Sequence, residues 1–408
     1  MNLSERLASI EHQAEIKGAE KQKPRPAGWE PGVIWHGSSG EITTDMLYDT
    51  PSDWDDILRM RGLDPEKFEV VNDTMRWCSW DGWRKTEDGL TESSICYSFK
   101  AQIKKRSAPN EINDISLEEM YKSIRKVRPP KKEAPAGGET LVVALSDWQV
   151  GNRDGGGIES QVKAIAELCE SIPQRIADLR KAGHDIGHLL VLGMGDMVEG
   201  TCGHYPAQQF RIELDRRDQV KMVRRGVRDI LVNTAPLVHK VSVMAIPGNH
   251  GENRQNGKSI TSVHDNDDVA VFEQVAEILA MNPESFGHVG FRLSRDEIAL
   301  GIDVNGHILA ITHGHVTKPG ANAGQTMWNW WQGQTMGRAY PVVADADILI
   351  SGHYHHLNVK EQANRALFVC PSLTTVGEYF ADATGNKAKS GTLSMVIAND
   401  GWGELTIL

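Results

Sequence analysis

The chain has 408 residues, of which 40% are hydrophobic and 24% charged, and its formal net charge is −11. This mixture is typical of a soluble globular protein, and no apolar run approaches the roughly 18 residues that a membrane span needs. The acidic balance argues against a protein that coats nucleic acid or membranes with its whole surface. The five cysteines form no CxxC pair, which argues against a disulfide framework and against a cysteine-based zinc site.

The first part of the chain predicts a tail followed by a small folded module. Residues 1–34 are polar and lack the apolar run of a secretory signal, so we expect a flexible tail and a cytoplasmic protein. Residues 35–105 predict an α+β module, with a helix that Ser52 caps and a half-buried strand whose apolar residues alternate between Ile95 and Ile103. We expect this module to bind nucleic acid or a protein partner.

Residues 106–138 predict a basic linker rich in Pro and Gly. From Lys100 to Lys132 there are ten Lys or Arg residues against four Asp or Glu. The segment ISLEEMYKSIRKV is a short amphipathic piece, and the run RPPKKEAPAGG that follows breaks regular structure.

Residues 139–408 alternate apolar strands with helices, which predicts an α/β core. The strands LVVALSD, HLLVLGMGD and VSVMAIPGNH are separated by predicted helices near 158–182 and 207–234. Several strands near the end of the chain follow one another without helices, which favours a second sheet.

Polar residues follow five strands at the point where each strand ends. The five loops are Asp147-Trp148-Gln149, Gly195-Asp196, Gly248-Asn249-His250, His313-Gly314-His315 and Gly352-His353-Tyr354-His355. Because open α/β sheets place their sites at the carboxyl ends of strands, we expect these loops to share one pocket. Carboxylate, amide and imidazole groups together suit divalent cations.

The order of these five blocks resembles the signature of the calcineurin-like metallophosphoesterase superfamily, over roughly residues 140–356. The resemblance implies an α/β fold, a four-layer α/β/β/α sandwich of two mixed sheets flanked by helices, for residues 139–408. It also implies two divalent metal ions. One ligand set would be Asp147, Gln149, Asp196 and His355. The other would be Asp196, Asn249, His313 and His353, so that Asp196 bridges both ions.

The same resemblance implies hydrolysis of a phosphate ester by in-line attack on phosphorus. Asp196 and Asn249 would hold the reacting centre, and His250 would stay off the metals and protonate the leaving oxygen or stabilise its charge. Metal ions about 3.5–4 Å apart stabilise both the attacking and the leaving oxygen, and they lower the pKa of bound water from about 15.7 towards 7.

Two positions depart from the pattern of the superfamily. Gln149 stands where histidine is usual, and a neutral amide oxygen is a harder and weaker ligand than imidazole. We therefore expect Mn²⁺ to be the native metal, with Mg²⁺, Zn²⁺ or Fe²⁺ as alternatives. An acidic residue usually follows the GNH block directly, whereas Gly251 follows it here.

Residues near the loops are candidates for substrate contacts. His204 and Tyr205, with Glu199 and Cys202, are expected at the rim of the pocket, although simple packing is an equal alternative. His315 would contact substrate or support the metal ligands. Trp330, in the run MWNWWQGQ, would stack on a base, and Arg338 would assist it, although tryptophans at helical spacing more often belong to a core.

The helix near 207–234 carries a row of basic residues, Arg217, Lys221, Arg224, Arg225 and Arg228. A solvated helix face is the favoured interpretation, and a stripe that contacts a phosphate backbone is the alternative.

Three functions stay open at this point. The favoured one is a nuclease acting on DNA, because the chain is most similar to double-strand-break repair nucleases and to metallophosphoesterases of tailed bacteriophages. Its partners would be nucleic acid, a second copy of the chain or an ATPase subunit, and no membrane. A phage protein would act in the host cytoplasm. The alternatives are a phosphatase or phosphodiesterase for small nucleotides and a non-catalytic binding scaffold of the same fold.

Overall fold

The computed structural model describes residues 27–36, 39–71, 74–85, 91–105, 117–130, 134–205, 208–317, 322–374 and 389–408. The chain divides into an N-terminal unit, Met1–Asn110, and a C-terminal unit, Glu111–Leu408. Residues 1–26, most of the predicted tail, lie outside the described residues. No helix in the described ranges is both long and apolar enough to cross a membrane.

In its described residues, the N-terminal unit has a five-stranded antiparallel sheet and one helix. Its strands are β1 (Gly32–His36), β2 (Ser39–Thr43), β3 (Phe68–Val70), β4 (Arg76–Lys85) and β5 (Thr91–Lys105). They follow the order β1-β2-β5-β3, and β4 pairs with β5. Helix α1 (Trp54–Met60) covers the sheet with Ile57 and Leu58, which pack on Ile42 and Ile103.

Two expectations for this unit need correction. The predicted flexible tail 1–34 ends earlier, because residues 32–34 belong to β1 and pair with β2. The side chain that caps α1 is that of Asp53, which accepts a hydrogen bond from the backbone N–H of Asp56. Ser52 donates its hydroxyl to the Asp56 carboxylate instead.

The C-terminal unit contains two large sheets and a short hairpin. The first sheet has the order β11-β8-β7-β6-β17-β18 and the second has the order β12-β13-β14-β16-β15. Neighbouring strands from β11 to β6 are parallel, as are β13, β14 and β16, and the remaining pairs are antiparallel. The strands of the first sheet are β6 (Glu139–Leu145), β7 (Ile186–Gly193), β8 (Lys240–Ala245), β11 (Val289–Leu293), β17 (Leu393–Ala398) and β18 (Gly401–Ile407). Those of the second are β12 (Ala299–Val304), β13 (His307–Thr312), β14 (Ile348–Ser351), β15 (Asn358–Gln362) and β16 (Arg365–Val369). The short strands β9 (Arg254–Gln255) and β10 (Lys258–Ser259) form the hairpin.

The helices of this unit lie on the outer faces of the two sheets. They are α2 (Leu117–Lys126), α3 (Gly157–Lys181), α4 (Arg216–Thr234), α5 (Asp267–Ala280), α6 (Pro283–Phe286), α7 (Ala323–Gly337) and α8 (Pro341–Ala344). The predicted helix near 207–234 therefore begins later, at Arg216, after a short 3-10 turn.

Side-chain alternation along the strands produces four layers. In β6, Leu141 and Val143 pack towards the helices, whereas Val142 and Ala144 pack towards the second sheet. In β14, Ile350 faces the first sheet and Leu349 faces α7 and α8. Strands buried on both faces are expected when helices cover a parallel sheet. The predicted four-layer α/β/β/α sandwich of two mixed sheets is confirmed.

The predicted linker 106–138 needs correction, because part of it is built into the sandwich. Helix α2 buries Met120 and Ile124 in the core beneath the first sheet's helices. The amide of Asn282 donates hydrogen bonds of 2.9 and 2.8 Å to the carbonyl oxygens of Ile124 and Val127, which anchors the end of α2.

Candidate metal centre

The five predicted loops follow β6, β7, β8, β13 and β14, and hydrogen bonds tie them together at one edge of the sandwich. The backbone N–H of Asp147 donates to Gly195 O at 3.2 Å, and that of Gln149 donates to Asp196 O at 2.9 Å. The N–H of Gly352 donates to His313 O at 3.0 Å. These bonds extend the pairing of the parallel strands beyond their carboxyl ends, which brings the polar side chains together.

Two glycines allow the loops to approach this closely. A Cβ atom on Gly248 would overlap the backbone nitrogen and Oδ1 of Asp196. A Cβ atom on Gly352 would lie 2.5 Å from Ser146 Oγ and 2.8 Å from Asp147 Oδ2. The glycines of the GNH and GHxH blocks are therefore required by close contact with atoms of the neighbouring loops.

The backbone is strained where ligands were predicted. Five of the seven predicted ligand positions have positive φ angles: Asp147 (50°), Gln149 (42°), Asp196 (51°), His353 (71°) and His355 (60°). Such a conformation costs a residue other than glycine about 1–3 kcal/mol, and it concentrates at functional sites. This clustering at one edge points to a site.

One group of side chains has the geometry of a metal-binding cluster. One ligand atom from each of Asp196, His313 and His353 lies within 4.8 Å of the others. Asp196 is 1% exposed and His313 is 0% exposed. Burial by itself raises the pKa of Asp196, but the charges of His313 and His250 outweigh it and hold that pKa well below its usual value.

The hydrogen-bonding state of His313 favours a cation at this cluster. Its Nδ1 donates to Met194 O at 2.8 Å, so a neutral ring presents a lone pair on Nε2. That atom faces Asp196 Oδ2 at 3.0 Å and has no hydrogen-bond partner. Two facing acceptors need a proton or a metal ion between them. Burial lowers the pKa of His313, but the Asp196 carboxylate overcomes this and raises it to about 9.

Asn249 completes this half of the centre. Its Oδ1 is buried and has no hydrogen-bond partner among the described residues. A buried amide oxygen without a partner costs about 1–3 kcal/mol, and a bound cation would remove that cost. His353 suits a ligand role as well, because burial and the charge of His313 lower its pKa to about 4 and keep its ring neutral.

The second predicted ligand set is assembled less completely. Asp147 Oδ1 lies 3.2 Å from His355 Nε2, and both carboxylate oxygens accept the backbone N–H of His353 at 3.1 Å. Burial opposes ionisation of Asp147, but His355 and His313 lower its pKa. The amide nitrogen of Gln149, in contrast, contacts His250 Nε2 at 3.3 Å. The structure thus brings Asp147 and His355 together, and it places the Gln149 amide against the predicted catalytic histidine.

His250 is held by a buried acid. Its backbone N–H donates to Asp196 Oδ1 at 2.7 Å, and its Nδ1 lies 2.9 Å from Glu199 O and 3.3 Å from Glu199 Oε2. Burial lowers the pKa of His250, but Asp196 and Glu199 together raise it to about 10. Glu199 is 0% exposed and also accepts hydrogen bonds from Tyr205 and Asn152. His250 is therefore anchored at one ring nitrogen, while the other reaches the edge of the cluster.

Three of the predicted substrate residues lie beside this centre. The ring of His204 stacks on that of His250 with centroids 4.3 Å apart and parallel planes. Tyr205 donates its hydroxyl to Glu199 Oε1 at 3.0 Å, so it supports the buried acid. The ring of His315 lies 5.4 Å from that of His313, and its Nε2 is 3.8 Å from Glu252 Oε1. Burial, followed by the charges of His250 and of His313 respectively, lowers the pKa of both His204 and His315 to about 3.

The other two predicted substrate residues do not join the centre. Trp330 is half-buried against Tyr340 in the core between α7 and the second sheet. Arg338 ends α7 and forms an exposed pair of hydrogen bonds with Asp345, ahead of the amino end of β14. The carboxyl end of β14, by contrast, leads into the His353 loop. These contacts connect neither side chain to the predicted ligands, and the substrate roles of Trp330 and Arg338 stay predictions.

The basic residues on α4 fit neither predicted arrangement, the solvated helix face or the stripe that contacts a phosphate backbone. Arg224 and Arg225 are buried, whereas Arg217 is exposed and Lys221 and Arg228 are half-buried. Arg224 Nη1 donates to Gln274 Oε1 of the neighbouring helix α5 at 3.0 Å. These residues do not form a continuous solvated face or a phosphate-binding stripe.

The sequence did not show the contacts that two buried acids, Glu199 and Asp268, make with the centre. Glu199 follows Asp196 by three residues, and that closeness was a signal only for a place at the rim. Asp268 lies in no motif, yet its buried carboxylate touches the loops of both Asp196 and Gly248. Burial and the charge of Asp196 raise the pKa of Asp268 to about 7.

Comparisons with known proteins find distant likenesses among solved structures. Vps29 from Entamoeba histolytica, complexed with zinc, is 15% identical with a TM-score of 0.29, over 62% of this chain and 84% of that chain. A novel archaeal phosphodiesterase is 11% identical with a TM-score of 0.30, over 66% and 99%. A predicted phosphoesterase from Streptococcus pneumoniae is 12% identical with a TM-score of 0.27, over 64% and 83%.

No protein-family model matches the chain, and no curated protein matches it at a significant level. The structural scores are too low to carry an argument about activity.

Proposed function

We propose that this protein is a metal-dependent phosphodiesterase that holds two divalent cations, and that nucleic acid, with DNA favoured, is its substrate. The observation that carries the proposal is the Asp196 cluster. A buried carboxylate faces His313 Nε2 at 3.0 Å, beside the unpartnered Oδ1 of Asn249, at an edge where the backbone is strained. This donor set of carboxylate, amide oxygen and imidazole fits a divalent cation.

The residues divide between the two cations as follows. Asn249, His313 and His353 would hold one, Asp147 and His355 would hold the other, and Asp196 would be shared. When bound, such a pair of cations supplies an activated water and neutralises charge on the phosphate. Gln149 would be a weak ligand of the second cation. In the structure its amide contacts His250.

His250 is the proposed proton donor to the leaving oxygen. The Glu199 carbonyl accepts the Nδ1–H, and the nearby Glu199 carboxylate stabilises the ring when both nitrogens carry protons. Nε2 then holds the proton to be transferred. The parallel ring of His204 limits rotation of His250 and keeps that nitrogen directed away from Glu199.

A small nucleotide is the second candidate substrate, and two observations favour it. The chain has a net charge of −11, and Arg224 and Arg225 are buried rather than available to a phosphate backbone. The nuclease proposal is supported instead by the resemblance of the five loops and by the basic segment between residues 100 and 132. Partnership with a second copy or an ATPase subunit stays a prediction from that resemblance.

The test compares four substrates with purified protein and Mn²⁺. Bis(p-nitrophenyl) phosphate, a dinucleotide, and labelled single- and double-stranded DNA are offered to the wild type, Asp196→Asn and His250→Gln. Lys163→Gln, on the exposed face of α3, is the matched control. Cleavage of DNA that both site variants abolish supports a nuclease. Cleavage of only the two small substrates assigns the small-nucleotide function. Bound Mn²⁺ without any turnover indicates a scaffold and overturns the enzymatic proposal.

A further inference from the structure

One buried carboxylate lies underneath two loops of the candidate metal centre. Asp268 is the second residue of α5 and is 1% exposed. Its Oδ2 accepts the backbone N–H groups of Asp196 at 2.8 Å and Gly248 at 3.0 Å. Its Oδ1 accepts those of Met197 at 2.8 Å and Val198 at 3.2 Å. Four backbone donors from two separate loops therefore converge on a single side chain.

These loops carry the residue shared by both ligand sets and the ligand Asn249. Their relative position depends on the Asp268 carboxylate, because Oδ2 joins the start of one loop to the start of the other. The neighbouring Asn266 adds to this connection: its Nδ2 donates to Gly248 O at 2.9 Å, and its Oδ1 accepts the backbone N–H of Asp268 at 2.9 Å. The first turn of α5 is thus a rigid support for the cluster.

Gly251, the position directly after the GNH block, shares this space. A Cβ atom there would lie 2.7 Å from Asp268 Cγ and Oδ2, and 2.5 Å from Asn266 Oδ1. A side chain at residue 251 and the Asp268 carboxylate therefore cannot both fit. An acid at residue 251, in turn, would direct its carboxyl group into the region that Asp268 fills.

We propose that Asp268 is a positioning residue that sets the geometry of the metal ligands. From helix α5 it fills the space, and takes the positioning role, that an acidic side chain directly after the GNH block would have. The part that concerns metal binding rests on the proposed function. A buried carboxylate can accept all four N–H groups because its two oxygens offer about four lone-pair sites.

Asp268→Asn is the first variant, because it keeps the size of the side chain and removes half of its acceptors. An amide NH₂ would face two backbone donors, which leaves both without a partner. Asp267→Asn, one residue earlier on α5, is the matched control; Asp267 pairs with Arg216 and touches neither loop through its side chain.

Two readouts distinguish this inference from the proposed function. The first is hydrogen exchange at the amides of Asp196, Met197, Val198 and Gly248 in metal-free protein. We expect faster exchange at these amides in Asp268→Asn and no change in the control. The second is Mn²⁺ affinity by calorimetry, where we expect a loss of about 10–100-fold, as for other groups that orient metal ligands. If the wild type binds no Mn²⁺, the proposed function fails while the exchange result still decides the positioning role.

The double variant Gly251→Asp/Asp268→Gly tests whether an acid at residue 251 can replace the one at residue 268. Gly251→Asp alone should destabilise the protein through overlap with Asp268, and Asp268→Gly alone should lose both amide protection and Mn²⁺ affinity. We expect the double variant to recover part of both, which is non-additivity that only interacting sites show. Recovery supports the proposal even if Asp268→Asn does not fold. A folded Asp268→Asn with wild-type exchange and affinity, or a double variant no better than either single one, overturns it.

Discussion

Polar side chains at the two ends of the parallel strands, the amino edge and the carboxyl edge of the sandwich, are in opposite states. At the amino edge, His188 has partners at both ring nitrogens, Thr140 Oγ1 at 3.1 Å and Ser242 Oγ at 2.9 Å. Glu139 accepts the backbone N–H of Asp185 at 2.7 Å. At the carboxyl edge, Asn249 Oδ1 and His313 Nε2 have no hydrogen-bond partner among the described residues.

This difference separates groups that stabilise the fold from groups arranged for a ligand. Buried polar atoms normally find a partner, so atoms that lack one call for an explanation. At the amino edge, His188 and Glu139 find their hydrogen-bond partners within the protein. The carboxyl edge combines unpartnered donors of electron pairs, converging carboxylates and a strained backbone, and a bound cation would account for all three features. Changes at the two edges should therefore have separable effects.

The largest effect is expected for Asp196→Asn, which removes the carboxylate assigned to both cations. Hydrolysis of bis(p-nitrophenyl) phosphate should fall on the order of 10³-fold or more, because the charge that organises the reacting centre is lost. Bound Mn²⁺, measured by elemental analysis after dialysis, should fall as well. The far-UV circular dichroism of the metal-free variant should stay that of the wild type. Retained metal and activity would contradict the assignment.

His250→Gln should lower turnover by roughly 10²–10⁴-fold, the usual range for a general acid, without loss of Mn²⁺. The reason is that His250 contacts Asp196 through its backbone, which the substitution keeps. Steady-state kinetics and metal analysis on one preparation check both parts. A variant that loses metal and activity together would make His250 a ligand instead.

Local sequence predicts some elements of this fold and misses others. The strands β6, β7 and β8 and their polar ends were predictable, because each apolar run and its motif are adjacent in the chain. The sequence predicts a linker where helix α2 lies, because Met120 and Ile124 acquire a hydrophobic partner only in the folded core. The contacts of Trp330 with Tyr340 and of Arg338 with Asp345 were not predictable for a related reason, since residue type does not show which way a helix faces.

The contacts of Asp268 with residues about 70 positions earlier in the chain have no local signature. Weaker binding of the second cation stays a prediction from Gln149. The contact of that amide with His250 was not foreseen, because it depends on how two loops meet.

Gln149→His tests whether the two proposed cation sites at the carboxyl edge differ in affinity because of residue 149. An imidazole in place of the amide should tighten the weaker of two Mn²⁺ sites by roughly tenfold, or about 1.4 kcal/mol. Calorimetric titration should resolve a second binding step that moves to lower concentration while the first stays in place. An unchanged second step would show that residue 149 is no ligand.

The smallest effect is expected at the amino edge, from His188→Gln. Burial, aided by Lys240, lowers the pKa of His188 to about 4, below its ordinary value of 6.5. The unfolded chain therefore takes up the proton first as the pH falls. The neutral form is stabilising above pH 6.5, and that contribution is lost between pH 6.5 and 4.

Urea unfolding at several pH values checks this prediction. The wild type should lose stability towards acid more steeply than His188→Gln, by less than the limit of about 1.4 kcal/mol per pH unit for one proton. Phosphodiesterase activity at pH 7.5 should be the same for both. Equal pH slopes, or lost activity, would contradict the division between the two edges.

The most direct test of the metal centre is a crystal of the protein soaked in Mn²⁺, with anomalous diffraction recorded at the manganese edge. Two peaks about 3.5–4 Å apart, one on each side of the Asp196 carboxylate, are the predicted result. Anomalous density located only away from Asp196, with none between the five loops of the candidate centre, would contradict the account.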